Sequence, residues 1–169
     1  MPEYISSGKI MKINKTNVAR ILDRKNIEYG LVPYTVDEND LAATHVAAEL
    51  GEDIAQVFKT LVLRGDRNGL LVCVIPGDRE VDLKKAAKLS GNKKVEMIAM
   101  RELLPLTGYI RGGCCPIGMK KPYPTWIHST CMDFPFIYIS AGVRGLQLKI
   151  APQDLVSVTG AQPADLISD

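Results

Sequence analysis

The sequence predicts one domain of mixed α/β fold, built from short helices and strands. Its 169 residues match the length of a single ordinary domain. The spacing of apolar residues alternates between helical and strand patterns, and each segment is short, which is typical of a mixed fold. Hydrophobic residues make up 46% and charged residues 24% of the chain, so wholesale disorder, a coiled coil and a collagen-like chain are excluded.

The first two predicted elements are a helix and an edge strand. Residues 16–26 place their apolar side chains on one helical face, and either Thr16 or Asn14 can cap the helix. Residues 29–36 have the composition of a strand, but Pro33 interrupts them. Because proline cannot donate to a sheet ladder, this segment is expected at a sheet edge or at a bulge.

A helix and a hairpin follow. The Ala-rich segment 41–51 predicts a helix that ends at Gly51, since glycine readily adopts the left-handed conformation that stops a helix. Residues 57–64 and 70–76 are apolar runs separated by a turn that contains an Asn-Gly pair. This dipeptide is a strong hairpin signal, so the two runs predict paired antiparallel strands.

The remaining predicted elements are shorter. Asp82 is expected to cap a helix that ends at Gly91. Pro152 is expected to open the last helix, since proline is favoured in a first helical turn. Between these helices the pattern predicts a strand at 95–98, a helical turn at 100–104, and strands at 126–128, 136–140 and 146–150.

The domain is expected to span residues 14–169, with residues 1–13 as an extension outside the fold. The first residues lack an apolar run of signal-peptide length. No segment approaches the roughly 18 apolar residues that suggest a membrane span. We therefore expect a cytoplasmic protein with no membrane partner.

The overall charge argues against nonspecific coating of nucleic acid. The net charge is only +2, from 21 Lys+Arg against 19 Asp+Glu, and proteins that coat nucleic acid usually carry more. Basic residues concentrate in the segments 79–94 and 103–132, although charged helix faces are more often simply solvated. Any contact with a polyanion is therefore expected to be local.

Lys59 is the first candidate for chemistry. It lies in the predicted strand at 57–64, on the same face as Leu61 and Leu63. Lysine is almost never fully buried without a partner. Two interpretations stay open: a lysine that reaches solvent from a strand end, or a cation aimed into a pocket for an anionic or carbonyl ligand.

Two glycine-containing turns are the next candidates. The segment 107–124 is rich in glycine and proline and surrounds Arg111, and free backbone N–H groups in such a loop can bind an anion or oxyanion. The known phosphate-loop and dinucleotide spacings are absent. The turn from Ser140 to Gly145 carries one hydroxyl and one guanidinium. Both turns can equally be structural.

The cysteines have a structural interpretation and two chemical ones. Cys73 lies in an apolar strand pattern and is expected to be a small buried hydrophobe. His128 and Cys131 could join the Cys114-Cys115 pair at a zinc ion, but the usual C-x-x-C spacing is absent. A catalytic thiol at Cys114 or Cys115 would need a base, and His45 and His128 are the histidines of the chain.

Taken together, these segments resemble a known family of editing proteins. The matches run in order from about Thr16 to the C-terminus: V-F-K-T-L-V-L, D-L-K-K-A-A-K, K-K-V-E-M, T-G-Y-I-R-G-G-C-C-P-I-G-M-K-K, P-T-W-I and I-Y-I-S-A-G-V-R-G-L. They resemble the YbaK/EbsC family, the trans-editing aminoacyl-tRNA deacylases related to the insertion domain of bacterial prolyl-tRNA synthetase. Within it, the chain is most similar to the branch of Cys-tRNA(Pro) deacylases.

The resemblance implies a fold, an activity and partners. The fold would be a strongly bent, barrel-like mixed sheet flanked by short helices. The activity would be hydrolysis of cysteine mischarged onto proline tRNA, with Cys-tRNA(Cys) as a further candidate, and no cofactor or metal would be needed. The partners would be the 3′ end of the aminoacyl-tRNA and prolyl-tRNA synthetase. The alternatives are a deacylase for Ala-tRNA(Pro) and a non-catalytic module that binds RNA or a synthetase.

The resemblance also implies site residues. The catalytic ones would be Lys59, the family's essential lysine, and Gly112, whose backbone faces the substrate. Substrate binding would fall to Tyr34, Thr60, Gly113, Ser140, Gly142 and Arg144. This sequence departs from the family at Ala141, where a glycine is usual, and at Gln147, where an aspartate is often found.

A mechanism without metal or catalytic triad is chemically reasonable for such a substrate. An aminoacyl-tRNA ester is already activated, and the cysteine of the substrate carries its own nucleophile. Attack of that thiol on its own ester is intramolecular, and the amides of Gly112 and Gly113 are expected to stabilise the oxyanion. A thiol enzyme that uses Cys114 or Cys115 is the competing hypothesis.

Overall fold

The computed structural model describes residues 3–6, 9–12 and 15–169 and shows a mixed α/β fold. The described helices are α1 (Asn17–Arg24), α2 (Ala43–Leu50), α3 (Leu83–Ser90), α4 (Leu103–Thr107) and α5 (Pro152–Thr159). The described strands are β1 (Glu3–Ser6), β2 (Lys9–Lys12), β3 (Gly30–Pro33), β4 (Phe58–Gly65), β5 (Gly69–Pro76), β6 (Val95–Met97), β7 (Thr125–His128), β8 (Ile137–Ser140), β9 (Leu146–Ile150) and β10 (Gln162–Ala164). The fold class predicted from periodicity is confirmed.

Hydrogen bonding divides the described strands into three sheets. β1 pairs with β2, five strands follow the order β10-β7-β5-β4-β6, and three follow the order β3-β9-β8. In the five-stranded sheet β7 runs parallel to β5 and β10, while β4 is antiparallel to both of its neighbours. An isolated bridge between Val57 and Tyr138 connects the five-stranded sheet to the three-stranded one. The described strands are therefore not closed into one hydrogen-bonded barrel.

The helix caps, the hairpin turn and the edge strand lie where the sequence predicts them. The hairpin of β4 and β5 pairs Gly65 with Gly69, which is the glycine of the Asn-Gly pair. The hydroxyl of Thr16 accepts a hydrogen bond from the Ala19 N–H at 3.3 Å, so Thr16 is the cap of α1. Asp82 likewise accepts from the Lys85 N–H at 3.0 Å. β3 pairs with β9 alone among the described strands, which makes it the predicted edge strand.

The five-stranded sheet has an apolar core on each face. On one face α3 packs Ala86 and Ala87 in a cluster with Leu63 of β4. On the other face Phe58 and Val62 of β4 join a larger cluster, to which α1, α5, β8 and β9 also contribute. Successive residues of β4 therefore point into different cores, and Lys59, near the start of the strand, is half-buried.

The C-terminal strand β10 is an element that the sequence pattern does not predict. Pro163 lies at its centre, and proline normally weakens a strand assignment. β10 forms a parallel pair with β7, at the edge of the sheet, which is where proline is tolerated. The Leu166 N–H donates to Nδ1 of the buried His128 at 3.2 Å, and Lys85 Nζ donates to the Ile167 carbonyl at 2.8 Å. Tertiary contacts thus fix this segment.

The N-terminal extension and the membrane expectation can each be compared with the described residues. β1 and β2 form an antiparallel hairpin within the predicted extension 1–13. Residues 1–2, 7–8 and 13–14 of this region lie outside the described residues, and the boundary at residue 14 stays a prediction. In the part of the chain that the structure describes, none of the helices is long and apolar enough to cross a membrane.

Candidate active site

A cleft of about 480 Å³ lies where the five-stranded sheet is interrupted along one edge of β4. β6 pairs with β4 only from Leu63 to Gly65, and β8 reaches β4 at Val57. Between these two points no described strand covers the outer edge of β4. The cleft is lined by Leu41, Ala42, Ala43, Val46, Val57, Phe58, Lys59, Thr60, Leu61, Val62, Gly77, Met97, Ile98, Ala99, Met100, Leu103, Arg111, Gly112, Cys114, Ser140 and Gln147.

Lys59 supplies a half-buried cation to the wall of this cleft. Burial lowers the pKa of its ammonium group, and the carboxylates of Glu80 and Asp78 only partly offset this effect. No described residue forms a hydrogen bond with its Nζ that contributes to the shift. Of the two interpretations of this residue, the structure agrees with a lysine aimed at a pocket. The ammonium group is thus available to a ligand.

Thr60 presents both side-chain and main-chain polar atoms at the open edge of β4. The Gly77 N–H donates to the Val57 carbonyl on the β5 side, and the Ile98 N–H donates to the Val62 carbonyl on the opposite side. Since main-chain groups alternate in direction along a strand, the N–H and C=O of Thr60 point away from β5, into the interruption of the sheet. Its Oγ1 is buried and has no hydrogen-bond partner among the described residues.

The glycine loop brings Gly112 to the cleft and directs Gly113 elsewhere. Gly112 has φ +82, a left-handed conformation that favours glycine. Within the described residues its N–H donates to no backbone acceptor. The Gly113 N–H, in contrast, donates to the Ile110 carbonyl at 2.9 Å. The expectation that both amides serve an oxyanion therefore needs correction, because only the Gly112 N–H is free for a ligand.

Ser140 and Gln147 face each other on β8 and β9 and both line the cleft. The Ser140 Oγ accepts a hydrogen bond from the Gly142 N–H at 3.1 Å. Gln147 is only 4% exposed, and its Oε1 has no hydrogen-bond partner in the described part of the chain. The sequence identifies Gln147 only as a departure from the family and does not place it in the site. Its position opposite Ser140 becomes evident only with the strand register.

Four of the eight predicted site residues do not line the cleft: Tyr34, Gly113, Gly142 and Arg144. Three of them form hydrogen bonds to residues in or beside the loops around the cleft. The Tyr34 N–H donates to the Gly145 carbonyl at 3.0 Å, which ties β3 to the turn after β8. Gly142 donates to Ser140, and Arg144 Nε donates to the Arg111 carbonyl at 2.8 Å. The structure brings Lys59, Thr60, Gly112 and Ser140 together in the lining itself.

The sequence does not predict an apolar wall formed by the end of β6 and the residues between β6 and α4. Met97 and Met100 are 47% and 59% exposed and line the cleft. A two-pronged ion pair holds this wall to the sheet, with Arg64 nitrogens 2.9 and 3.2 Å from the Glu102 carboxylate. The same carboxylate accepts from the Ala99 N–H at 2.9 Å. In the sequence, the available signal for this wall was the pair of methionines beside a predicted helical turn.

The thiols of the glycine loop are poorly suited to nucleophilic catalysis. Cys114 lines the cleft, but burial raises the pKa of its thiol to about 12. Cys115 is fully buried, and burial raises its pKa as well. Neither His45 nor His128 lines the cleft. A thiol–imidazole pair of the kind that activates a cysteine is therefore not assembled there.

The fold and the cleft define a class of protein: a small mixed α/β domain whose pocket offers one lysine, one free glycine N–H and several neutral oxygens beside an apolar wall. Residues 38–158 match the family model described as "Aminoacyl-tRNA editing domain". Over 152 residues the chain is 45% identical to an Enterococcus faecalis protein named "Putative Cys-tRNA(Pro)/Cys-tRNA(Cys) deacylase EbsC", which covers 90% of this chain and 93% of the relative. The chain belongs to the aminoacyl-tRNA editing domain family.

Two further similarities point in the same direction. A "Proline--tRNA ligase" of Thermosipho africanus is 33% identical over 76 residues, which is 45% of this chain and 13% of that much longer protein. A solved structure described as "Crystal structure of a putative trans-editing enzyme for prolyl tRNA synthetase" superposes with a TM-score of 0.77 at 25% identity. It covers 92% of this chain and 100% of the solved one.

Proposed function

We propose that this protein is a trans-editing hydrolase that removes cysteine from mischarged Cys-tRNA(Pro), with Cys-tRNA(Cys) as a second substrate. The family membership and the 45% identity to the Enterococcus faecalis relative support deacylation as the reaction. One structural observation carries the assignment to this cleft: Lys59 and Gly112, whose N–H has no backbone acceptor among the described residues, line the same interruption of the sheet.

The chemistry proceeds without an enzyme nucleophile. The sulfur of the bound cysteine attacks its own ester carbonyl and forms a C–S bond, and the ester C–O bond to the terminal ribose breaks. The thiol proton passes to the ribose oxygen, so the products are a cyclic thiolactone and free tRNA. Free cysteine is a few per cent thiolate at neutral pH and intrinsically reactive. Holding the sulfur against the carbonyl can supply on the order of 7–11 kcal/mol.

Lys59 and Gly112 have separate roles in this reaction. The ammonium group of Lys59 binds the negatively charged 3′-terminal nucleotide and orients it along β4, since a half-buried cation attracts phosphate more strongly than a solvated one. The Gly112 N–H donates to the oxygen that becomes negatively charged as sulfur adds to the carbonyl. The apolar wall with Met97 and Met100 excludes water from the reacting ester.

Thr60 and Gln147 recognise the polar atoms of the cysteinyl group. Both have a buried oxygen without a hydrogen-bond partner among the described residues, and both line the cleft. A buried acceptor without a donor costs free energy, which a ligand that donates to it recovers. The α-ammonium and the thiol of the substrate are donors of this kind. The neutral amide of Gln147 stands where the family resemblance implies an aspartate, and its oxygen accepts from the substrate.

An aminoacyl-tRNA substrate also implies a partner protein and a location in the cell. Only a few cations line the cleft, so recognition of the tRNA body is assigned to a partner, prolyl-tRNA synthetase. A cytoplasmic location is expected for a protein that binds aminoacyl-tRNA.

Two structural features also belong to the proposal. The editing domain spans residues 14–169. The bridge between Val57 and Tyr138 supports a sheet that bends strongly from β4 into β8, in a barrel-like arrangement.

A panel of charged tRNAs tests the proposal. Purified protein is expected to free tRNA from Cys-tRNA(Pro), with cysteine thiolactone as the other product, much faster than it frees tRNA from Pro-tRNA(Pro). Lys59→Ala is expected to abolish release, whereas Lys84→Ala, which removes an exposed lysine from α3, is expected to leave it unchanged. Full activity of Lys59→Ala would refute the role of this lysine. Equal activity on Ala-tRNA(Pro) would exclude the thiol mechanism, and binding without release would identify a non-catalytic module.

A further inference from the structure

Arg144 is attached to the peptide group that carries the free N–H of Gly112. Its Nε donates to the Arg111 carbonyl at 2.8 Å. That carbonyl and the Gly112 N–H belong to the same planar peptide unit, with the oxygen and the hydrogen on opposite sides. A bond that fixes the carbonyl therefore also fixes the direction of the N–H. Arg144 therefore bonds the carbonyl side of this peptide, and the Gly112 N–H lies on the opposite side.

Steric contact reinforces this hydrogen bond. A Cβ added to Gly112 would lie 3.4 Å from both Cγ and Nε of Arg144 and 3.4 Å from Cδ2 of Leu41. The backbone at Gly112 thus lies close to both the Arg144 side chain and Leu41, a residue of the cleft lining. The adjacent Gly113 approaches the main chain of Val143 and Arg144, where an added Cβ would be within 3.2–3.3 Å. The two loops are in direct contact.

The turn that carries Arg144 is itself well ordered by hydrogen bonds. The Ala141 N–H donates to the Leu146 carbonyl at 3.0 Å and closes the turn between β8 and β9. The Gly142 N–H donates to Ser140, which lines the cleft. One short turn thus contacts both Ser140, through the Gly142 N–H, and the Arg111–Gly112 peptide, through the Arg144 side chain.

We propose that Arg144 is a positioning residue that orients and polarises the Arg111–Gly112 peptide so that the Gly112 N–H stabilises the oxyanion. A charged donor on a peptide carbonyl withdraws electron density from the amide and makes its N–H a better donor. The guanidinium itself does not contact the substrate. This inference rests on the proposed deacylation, and it assigns Arg144 a role through the glycine loop in place of direct binding.

Steady-state kinetics of Arg144→Ala on Cys-tRNA(Pro) tests this role. Removal of an oxyanion donor lowers kcat by about 100- to 1,000-fold. Arg144→Ala keeps the Gly112 N–H but loses its orientation, so kcat is expected to fall by a smaller factor, about 10- to 100-fold, with KM changed by less than about twofold. Free guanidinium ion is expected to restore part of kcat, because it can occupy the vacated space and donate to the Arg111 carbonyl. Arg67→Ala, which removes an exposed arginine from the β4–β5 turn, is the matched control and is expected to leave kcat unchanged.

Three outcomes would overturn the inference. An unchanged kcat would show that Arg144 is dispensable. A raised KM at constant kcat would show that its guanidinium binds the substrate directly. A loss of kcat that guanidinium does not restore, in a variant with wild-type thermal unfolding, would show that the hydrogen bond is not what matters. If Arg144→Ala unfolds, Arg144→Lys keeps the charge and the stem, and the same kinetic comparison applies to it.

An NMR measurement separates this inference from the proposed function. The amide proton of Gly112 is expected to shift upfield in Arg144→Ala, because its peptide carbonyl loses a charged donor, while the amide of Gly69 in the distant hairpin turn is expected to stay in place. This shift requires no substrate. If wild-type protein does not deacylate Cys-tRNA(Pro), the proposed function fails while the Gly112 shift still decides the structural role. An unshifted Gly112 amide would refute that role even in an active enzyme.

Discussion

Replacement of Gln147 by leucine is expected to stabilise the protein while it impairs catalysis. Gln147 is 4% exposed, and its Oε1 has no hydrogen-bond partner among the described residues. A buried polar group that lacks its partner costs about 1–3 kcal/mol. Leucine has a similar volume and no polar atoms, so Gln147→Leu is expected to raise the free energy of unfolding by up to about that amount. For a chain of this length, each kcal/mol corresponds to roughly 2–4 °C in Tm.

The same substitution removes an acceptor for the substrate. A hydrogen bond to a charged donor contributes about 1.5–3 kcal/mol, so kcat/KM for Cys-tRNA(Pro) is expected to fall by about 10- to 150-fold. Thermal unfolding and deacylation kinetics measured on one preparation provide both quantities. Gln162→Leu replaces an exposed glutamine of β10 and serves as control, with an expected stability change within about 0.5 kcal/mol.

The two halves of this prediction are refuted by different results. A clear loss of stability in Gln147→Leu would show that Oε1 is already satisfied in the free protein, and the argument from an unpaired acceptor would fail. Unchanged kinetics in a more stable variant would show that the substrate does not use this oxygen. Gln147→Glu, which restores a carboxylate, is expected to retain activity if the α-ammonium is the donor.

Two further predictions concern buried titratable groups, the thiol of Cys114 and the imidazole of His128. Cys114→Ser is expected to keep activity within about threefold of wild type in the deacylation assay, because burial raises the pKa of the Cys114 thiol to about 12 and leaves it protonated at neutral pH; an inactive variant would instead support a thiol enzyme. Burial lowers the pKa of His128, and only the neutral ring accepts the Leu166 N–H at Nδ1. The unfolded state therefore binds more protons than the folded state just below the ordinary histidine pKa, so Tm is expected to decrease as the pH falls from 7.5 to about 5. In His128→Gln this decrease is expected to be smaller, and an equal decrease would assign it to other groups.

The elements that could be predicted from the sequence are those that local interactions determine. The cap at Thr16 and the Asn-Gly turn before β5 depend on residues a few positions apart, and each was found where the pattern indicated. β10 depends on a pairing with β7, from which more than thirty residues separate it, as the register of Gln162 with Trp126 shows. Its central proline gives a local signal against a strand, so only the tertiary pairing reveals it.

The candidate site likewise contains residues that the sequence identifies and residues that only the structure identifies. Lys59 could be found because a charged residue in an apolar strand is unusual. Gln147 is not unusual in its own segment, and its importance depends on the register that places it opposite Ser140. The support that Arg144 gives to Gly112 joins two loops that are distant in sequence. Interactions of this kind leave no periodic pattern in the sequence. The residues could therefore be proposed from the family resemblance, but the contacts between them could not.

Because of the interruption, one edge of β4 pairs in the hairpin that stabilises the fold, and the opposite edge lines the candidate binding cleft. The full length of β4 is paired with β5 through a local hairpin, while its opposite edge between Val57 and Val62 carries no strand in the described chain. Substitutions at the lip of this opening leave the hairpin intact, so the fold tolerates changes there that a continuous sheet would not. A residue such as Gln147, which lines the opening from β9, is therefore expected to be replaceable without disruption of the hairpin of β4 and β5.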